Sequence, residues 1–372
     1  MGVHSPENAS VFRKQSLNRG SATCGYLCYH SRAERRAARP QRPDRLSGAA
    51  LYGHKSERMG FLSEFRDPTK WYAKLFIAAL ALFFFTILAT TAISGYLVYR
   101  VISPAQSRSD IDLKTFPGRP ESLSYTVAGE DARGGWFFPG LKSAPTVVLC
   151  PAYQSSRGEL VTLASALQDH QYNAFLFDFS AQGASGGHTT LGFREVSELR
   201  AAMNAVANRG DVDPDRFGVW GVNLGAYVAL SEAAGDRRVR AIAVESPYDR
   251  PQQMVGVLAN RSGLTSIPLV GLMTRWGFGW VNYKYRDVPP LRVNLAKLAG
   301  VGQLYLASPD EPALAGYTSD LFGASPPPHE LAVLPHGNYG GMLDEEKRNY
   351  ENRIVSFFLT YLPPARATSA GN

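Results

Sequence analysis

The sequence predicts an α/β domain with a mostly parallel central sheet, helices on both faces of the sheet and a cap insertion, preceded by one transmembrane helix. Three observations lead to this prediction. Short runs rich in β-branched and aromatic residues alternate with longer amphipathic runs over residues 121–363. Several of the short runs are apolar at every position, as strands are when helices cover both sheet faces. An uncharged run of 25 residues lies upstream, over 75–99.

Composition and charge narrow the class of protein further. The chain has 372 residues, of which 45% are apolar and 19% charged, so it can bury a sizeable core. These values exclude wholesale disorder, a collagen-like repeat and a disulfide-rich miniprotein. The net charge of +7 lies in residues 1–70, which carry 13 Lys and Arg against 6 Asp and Glu, whereas the rest carries 26 of each. The main domain therefore has no charge that favours nucleic acid as a partner.

The N-terminal region lacks a pattern typical of folded structure. Neither helical nor strand periodicity extends through it, so residues 1–70 are predicted to be a disordered basic tail. Residues 1–58 have three interpretations: a solvated tail, a basic arm that binds acidic lipid, or residues upstream of a true start at Met59. At the other end, residues 364–372 are also expected to be disordered.

The uncharged run LFIAALALFFFTILATTAISGYLVY predicts a membrane anchor over 71–100, in contact with the bilayer through residues 75–99. A helix of that length rises roughly 37 Å, enough to cross a hydrocarbon core of about 30 Å. A secretory signal is the rival interpretation, but its apolar stretch usually has about 7–15 residues, and no clear cleavage site follows here. Aromatic residues that suit the two membrane interfaces flank the run: Trp71, Tyr72, Tyr96 and Tyr99.

Positive charge around the run predicts its orientation. Four basic residues precede the run within a short distance and two follow it, which favours a cytoplasmic N-terminus and an extracytoplasmic C-terminal domain in a single-pass protein. These residues are Arg58, Arg66, Lys70 and Lys74 before the run, and Arg100 and Arg108 after it. Residues 101–120 contain three prolines and are predicted to be a linker.

Within residues 121–363, eight runs predict strands and four predict helices. The strand runs are SLSYTV, GGWFF, PTVVLC, NAFLFDF, RFGVWG, VRAIAVE, GQLYLA and HELAVL. The helical runs are GELVTLASALQDH, REVSELRAAMNAVANR, LGAYVALSEAAG and EEKRNYENRIVSFFLTYL. Between about residues 246 and 292, Gly, Pro, Trp and Tyr interrupt the alternation, which predicts a cap or lid insertion there.

The segment RFGVWGVNLGAYVAL carries the most specific signal. A strand runs directly into a helix through Gly221-Val222-Asn223-Leu224-Gly225. Small residues at both flanks permit a very sharp strand-to-helix turn, which exposes the central side chain above the sheet edge. The sequence therefore predicts that Asn223 is presented at this edge.

Two further polar residues follow later strands. Asp310 comes just after the strand run GQLYLA, and His336 comes after HELAVL and before the last helix. Because the carboxyl ends of parallel strands meet at one edge, where such sheets hold ligands, all three residues are expected at the same edge. Glu311, next to Asp310, and Glu245, after another strand, are alternative acids.

With these residues in this order, the chain resembles the α/β-hydrolase superfamily, and within it the serine-aminopeptidase-like and acyl-hydrolase branch. The resemblance covers about residues 121–363. It implies that Asp310 and His336 are the acid and the histidine of a catalytic triad. It also implies that the backbone N–H groups of Tyr153 and Leu224 form the oxyanion hole.

Three positions depart from the family pattern. Asn223 stands where the family carries its nucleophilic serine, and Pro151-Ala152 where it usually carries His-Gly. The loop DFSAQGASGG over 178–187 is similar to the family's D-x-R-G-x-G-x-S-x-G stretch, with the arginine lost.

The departure at Asn223 changes the chemistry. A serine hydroxyl attacks because a neighbouring imidazole takes its proton, whereas an asparagine amide has no proton that a histidine can usefully remove. Three interpretations stay open. Asn223 caps the following helix in a protein that has lost this chemistry, since Asn is a favoured N-cap residue. It orients a water molecule that His336 activates. Or it deamidates to an aspartate that acts as a carboxylate nucleophile.

The function predicted first is a membrane-anchored protein of α/β-hydrolase fold that lacks ordinary serine-hydrolase activity. It retains a pocket for a small acyl, ester or peptide-like ligand, or for a partner. The alternative is a hydrolase of ester, amide or peptide substrates in which Asp310 and His336 activate water. Nothing in the sequence indicates a metal, nucleotide or flavin cofactor: the three cysteines have no zinc-site spacing, and no P-loop signature follows GASGG.

The cap insertion is rich in aromatic residues, and three roles fit them: lid packing, the lining of an apolar pocket, and contact with the bilayer. These residues are Tyr248, Trp276, Phe278, Trp280, Tyr283 and Tyr285.

Overall fold

The structure, a computed structural model, describes residues 70–106, 118–183, 185–263 and 267–364. The predicted disordered tail, apart from residue 70, and the C-terminus from residue 365 lie outside the described residues. So does the middle of the predicted linker, over 107–117.

In the described part of the chain, eight strands form one sheet in the order β1-β2-β4-β3-β5-β6-β7-β8. Strand β2 runs antiparallel to both β1 and β4, and all other neighbouring strands are parallel. The predicted strands are confirmed. They are β1 (Glu121–Thr126), β2 (Ala132–Phe138), β3 (Ala144–Cys150), β4 (Asn173–Phe177), β5 (Val212–Val222), β6 (Val239–Glu245), β7 (Gly302–Ala307) and β8 (His329–Val333).

Helices cover both faces of this sheet. The described helices are α1 (Trp71–Ile102), α2 (Val161–Asp169), α3 (Glu195–Ala207), α4 (Leu224–Ala233), α5 (Pro251–Arg261), α6 (Pro268–Val281), α7 (Leu291–Asn294), α8 (Pro312–Ala324) and α9 (Asp344–Tyr361). Helices α2 and α9 contribute to the apolar core on one face, and α3, α4 and α8 to the core on the other. Successive residues of β4 supply the two cores in turn, because side chains alternate across a strand.

The cap lies between β6 and β7, where the sequence predicts an insertion. It consists of α5, α6, a short 3₁₀ turn over Tyr283–Tyr285, and α7. Its return to the sheet is tied to the segment that follows β6, because the Arg292 guanidinium pairs with the buried Asp249 carboxylate at 2.6 Å. This ion pair therefore joins the segment that leaves the cap to the segment that enters it.

Helix α1 is long and apolar enough to cross a membrane, by length and composition. Its first half has almost every side chain exposed, whereas its C-terminal third packs on the cap. Here one stripe of residues at helical spacing is buried, and these residues are Thr90, Ser94, Leu97, Val98 and Val101. The Ser94 hydroxyl donates to the Val270 carbonyl of α6 at 3.2 Å. The apolar helix is thus attached to the α/β domain through the cap.

Candidate functional site

The site is built around the bend between β5 and α4. A Cβ atom on Gly221 would lie 2.4 Å from the Gly225 carbonyl carbon, and one on Gly225 would lie 2.3 Å from the Cys150 carbonyl oxygen. Both distances are far below van der Waals contact, so only glycine fits at these two positions. The close approach lets the chain turn within one residue from strand to helix.

Asn223 occupies the tip of this bend, with φ of 38° and ψ of −92°. Positive φ is a costly conformation for most L-residues, and Asn is among those that adopt it most readily. The backbone N–H of Asn223 donates to the Glu245 carbonyl at 2.8 Å, which joins the bend to the end of β6. The sheet edge therefore holds Asn223 in a strained but fixed position.

The side chain of Asn223 folds back onto the backbone around it. Its Oδ1 accepts hydrogen bonds from the Leu224 N–H at 2.5 Å and from the Tyr153 N–H at 2.9 Å. These are the two groups that the family resemblance assigns to the oxyanion hole. On that assignment, the amide oxygen takes the place that a developing oxyanion occupies in an acyl-transfer enzyme.

The loop that carries Tyr153 is held from two sides. The Gln182 Nε2 donates to the Ala152 carbonyl at 2.6 Å. The Tyr153 hydroxyl donates to the Val101 carbonyl in the last turn of α1 at 2.9 Å. Because these bonds fix the loop, its N–H group stays aimed at the bend. They also couple the end of α1 directly to the candidate oxyanion hole.

Asp310 and His336 follow β7 and β8, but their side chains do not meet. The Asp310 Oδ2 accepts the backbone N–H of Gly337 at 2.9 Å. The His336 Nδ1 lies 3.1 Å from Glu346 Oε1, and this imidazole side chain is 68% exposed. Glu311 pairs instead with Arg261 of α5. The structure thus brings Asp310 to the backbone of the histidine loop while the imidazole faces α9 and solvent.

Glu245, at the end of β6, is a buried carboxyl group that bonds to the loop after His336. It is fully buried, and its Oε1 accepts the Asn338 N–H at 2.6 Å while its Oε2 accepts the Tyr350 hydroxyl at 2.9 Å. Burial raises the pKa of Glu245 from 4.5 to about 7, against the opposing effect of these hydrogen bonds. Glu245 therefore anchors the loop after His336 from below and has no surface open to a substrate.

A cavity of about 330 Å³ lies beside Tyr153, between the end of α1 and α5. Leu97 and Leu258 contribute apolar surface to it, and Arg100 and Arg261 contribute two guanidinium groups. Such a cavity suits a small molecule with an apolar body and a polar or anionic end. Within the described ranges, no group of three or more His, Cys, Asp and Glu side chains converges in a way that could hold a metal ion.

The partner of His336 and the arginine that reaches the 178–187 loop are not evident from the sequence. Glu346 lies in the acidic first turn of α9, a common position for carboxylates, but nothing local pairs it with His336. In the 178–187 loop, Ser180 stands where the family has arginine. Arg133 of β2 reaches that loop instead, donating to the Ser180 hydroxyl at 2.9 Å and pairing with the buried Glu198 at 3.0 Å. These partners come from separate elements, so no local spacing could reveal them.

Several known proteins are similar to this chain in sequence. No family model matches the chain. It is 24% identical to the uncharacterized protein YfhR of Escherichia coli strain K12, over 67% of this chain and 84% of that protein. It is 33% identical to an uncharacterized protein of Mycobacterium tuberculosis, over 35% of this chain and 49% of that one. A protein of Eupenicillium brefeldianum named thiohydrolase is 28% identical, over 38% of this chain and 50% of its own length.

Solved structures resemble the domain over most of their length. An esterase of Pyrococcus furiosus has a TM-score of 0.56 at 18% identity and covers 71% of this chain and 99% of its own. The α/β hydrolase GrgF of a Penicillium species has a TM-score of 0.50 at 17% identity, over 65% of this chain and 99% of its own. These likenesses, together with the strand order, establish the α/β-hydrolase fold that the sequence predicts. The serine-aminopeptidase branch stays a prediction.

Proposed function

We propose that this chain is a single-pass membrane protein whose α/β-hydrolase domain does not carry out serine-hydrolase chemistry and instead binds a small acyl, ester or peptide-like ligand. One observation carries the proposal. The Asn223 Oδ1 accepts both N–H groups that an acyl-transfer enzyme needs for its oxyanion. The group at the nucleophile position thus also fills the anion site.

The chemical cost of this arrangement supports the proposal. For a carbonyl oxygen to enter, the Asn223 amide has to leave and give up two hydrogen bonds, each with a net value of about 1 kcal/mol. The displaced amide still has no proton that a base can remove. In triad enzymes, removal of the nucleophile lowers turnover by about 10⁶. The exposed imidazole of His336, bonded to Glu346, adds no base at the bend.

The ligand class follows from the cavity beside Tyr153. It combines the apolar side chains of Leu97 and Leu258 with the guanidinium groups of Arg100 and of Arg261, the second of which already pairs with Glu311. An acyl group with a polar or anionic end matches this lining. The cavity also lies at the C-terminal end of α1, so an anchored domain presents it next to the membrane surface. The charge bias along the sequence favours a cytoplasmic N-terminus and an extracytoplasmic domain.

The test uses the full chain in detergent micelles, with a fluorophosphonate probe and an aryl ester as substrate. The wild-type protein should remain unlabelled by the probe. The Asn223→Ala and His336→Ala variants should turn over the ester at the same rate as the wild type. The variant His188→Ala is the matched control, because His188 is an exposed histidine whose ring bonds to Ser103 and not to Asn223. Ester turnover that is lost in His336→Ala but kept in His188→Ala would overturn the proposal in favour of a hydrolase that activates water.

Peptide mapping of the same preparation addresses the carboxylate alternative. An amide at position 223 supports the proposal. An aspartate at that position, together with turnover, would contradict it in favour of a carboxylate nucleophile. Anchoring is tested separately by extraction of membranes with alkaline carbonate, which should leave the chain in the pellet.

A further inference from the structure

We propose that the cap helix α6 is a second membrane-contacting element, which lies at the surface of a bilayer containing anionic lipid and takes an acyl chain into its groove with α1. This inference rests on the anchoring of α1 proposed above. Three independent features of the described residues carry it: the apolar outer face of α6, its position along α1, and the charge of the cap.

The outer face of α6 is apolar and exposed. Trp276 and Trp280 are 75% and 80% exposed, and Leu272 is 54% exposed. Residues 269, 272, 276 and 280 recur at helical spacing, so they form one stripe along the helix. The only charged residue of α6, Arg275, has its guanidinium against Gly256 of α5, away from this stripe. A helix in water normally buries such a face against the protein core, whereas this face is exposed.

The position of α6 along α1 fixes its depth. About 20 residues cross a hydrocarbon core of about 30 Å, so a span that begins at Leu75 reaches the far boundary near Ser94. At that point the Ser94 hydroxyl bonds to the Val270 carbonyl. One turn later, Gly277 approaches Val98 so closely that a Cβ atom on Gly277 would lie 3.2 Å from it. An anchored α1 therefore places α6 at the membrane interface, where Trp and Tyr side chains concentrate.

A groove of about 560 Å³ runs along the contact between α6 and α1. Its walls are almost entirely apolar, and those that matter here are Gly95, Val98, Met273, Trp276, Gly277 and Trp280. The groove begins at Thr91 and Ser94 of α1, near the hydrocarbon boundary, so this end of it opens toward the region that lipid acyl chains fill. An acyl chain is thus the occupant that matches its chemistry and its place.

The charge of the cap differs from that of the rest of the domain. The cap, residues 251–294, carries five Lys and Arg against one Asp, whereas residues 121–250 and 295–363 together carry 15 against 23. Lys284 and Arg286 follow α6 directly and lie over the rings of Tyr285 and Tyr283. An anionic lipid surface attracts the basic cap and repels the acidic remainder, so it orients the domain with the cap toward the bilayer.

The test uses the full chain in vesicles of phosphatidylcholine and phosphatidylglycerol, with tryptophan fluorescence quenched by lipids brominated in their acyl chains. Of the five tryptophans, Trp136 and Trp220 are buried in the core, and Trp71→Phe removes the one at the start of α1. In that background, replacing both Trp276 and Trp280 with Phe should reduce quenching by at least about two-fold. Equal quenching with and without these two residues would overturn the inference.

A charge variant supplies a second measurement that does not depend on the tryptophans. Lys284→Glu with Arg286→Glu should weaken the increase in quenching that phosphatidylglycerol produces. The matched control reverses two exposed charges elsewhere, Arg348→Glu with Arg353→Glu on α9, and should leave it unchanged. If the two double variants behaved alike, the orienting role of the cap would be wrong.

The two proposals fail in different ways. If alkaline carbonate extracts the chain from these vesicles, α1 does not span the bilayer and the proposed anchoring fails. If the chain stays in the vesicles and brominated lipid does not quench Trp276 and Trp280, only the membrane contact of α6 fails.

Discussion

The bend at Asn223 and the outer face of the cap differ in how far their groups find partners within the molecule: hydrogen-bond acceptors at the bend, apolar contacts on the cap. At the bend, the N–H groups of Tyr153 and Leu224 already have an acceptor in the Asn223 amide. On the cap, Trp276 and Trp280 are mostly exposed. An enzyme keeps donors at its site free for the transition state. Here the N–H groups at the bend are satisfied within the molecule, whereas the apolar outer face of the cap stays largely exposed.

The largest expected effect tests how tightly the bend is built. Gly225→Ala should destabilise the fold by about 4 kcal/mol or more, because its Cβ meets the Cys150 carbonyl and no rotamer change can relieve a backbone clash. Thermal and denaturant unfolding of the full chain measure this. Gly316→Ala in α8 is the matched control, since its added Cβ meets nothing and should slightly stabilise the helix.

Next in size is a pH effect that originates at the buried Glu245. Its pKa of about 7 exceeds the ordinary value of 4.5, so between these values the folded state holds a proton that the unfolded state has lost. The free energy of unfolding should therefore fall by about 3 kcal/mol as the pH rises through this window.

Denaturant titrations at several pH values measure this slope. Glu245→Gln should flatten it, whereas Glu345→Gln, at an exposed position of α9, should leave it unchanged. An equally steep slope in Glu245→Gln would mean that other groups cause the pH dependence.

A smaller effect probes the two hydrogen bonds that the Asn223 side chain accepts. Asn223→Ala should cost about 2 kcal/mol, because it removes the acceptor of two N–H groups and leaves a residue without a polar side chain at positive φ. Asn223→Asp, which keeps an oxygen at the same position, should lose much less. Equilibrium unfolding at neutral pH compares the two. Equal stability of Asn223→Ala and wild type would indicate that water satisfies these donors and that the site is open.

The smallest effect is expected on the cap. Leu272→Ser should change the free energy of unfolding by less than about 0.5 kcal/mol, because this side chain is exposed and packs little. Leu295→Ser, fully buried where the cap rejoins the domain, should cost about 3 kcal/mol. A large loss at Leu272 would show that the outer face of α6 already has a partner within the chain and would remove the contrast with the bend.

The fold was predictable because its signals are local. The apolar runs of the strands, the amphipathic runs of the helices and the Gly221–Gly225 spacing each lie within one segment, and the structure has the corresponding elements. The candidate site was predictable in part. The sequence identifies which residues follow which strands, but the direction of the His336 imidazole depends on Glu346 in the next helix. The docking of α6 on α1 joins segments far apart in sequence, and no periodicity encodes it.

The sequence alone determined the sheet, the long apolar helix and the presence of an amide where a hydroxyl is expected, since composition and spacing are properties of single segments. Only the tertiary structure decided that this amide oxygen takes both backbone N–H groups and that the imidazole bonds elsewhere. The physical reason is that hydrogen bonding and burial depend on groups from different segments, and only folding brings those groups together.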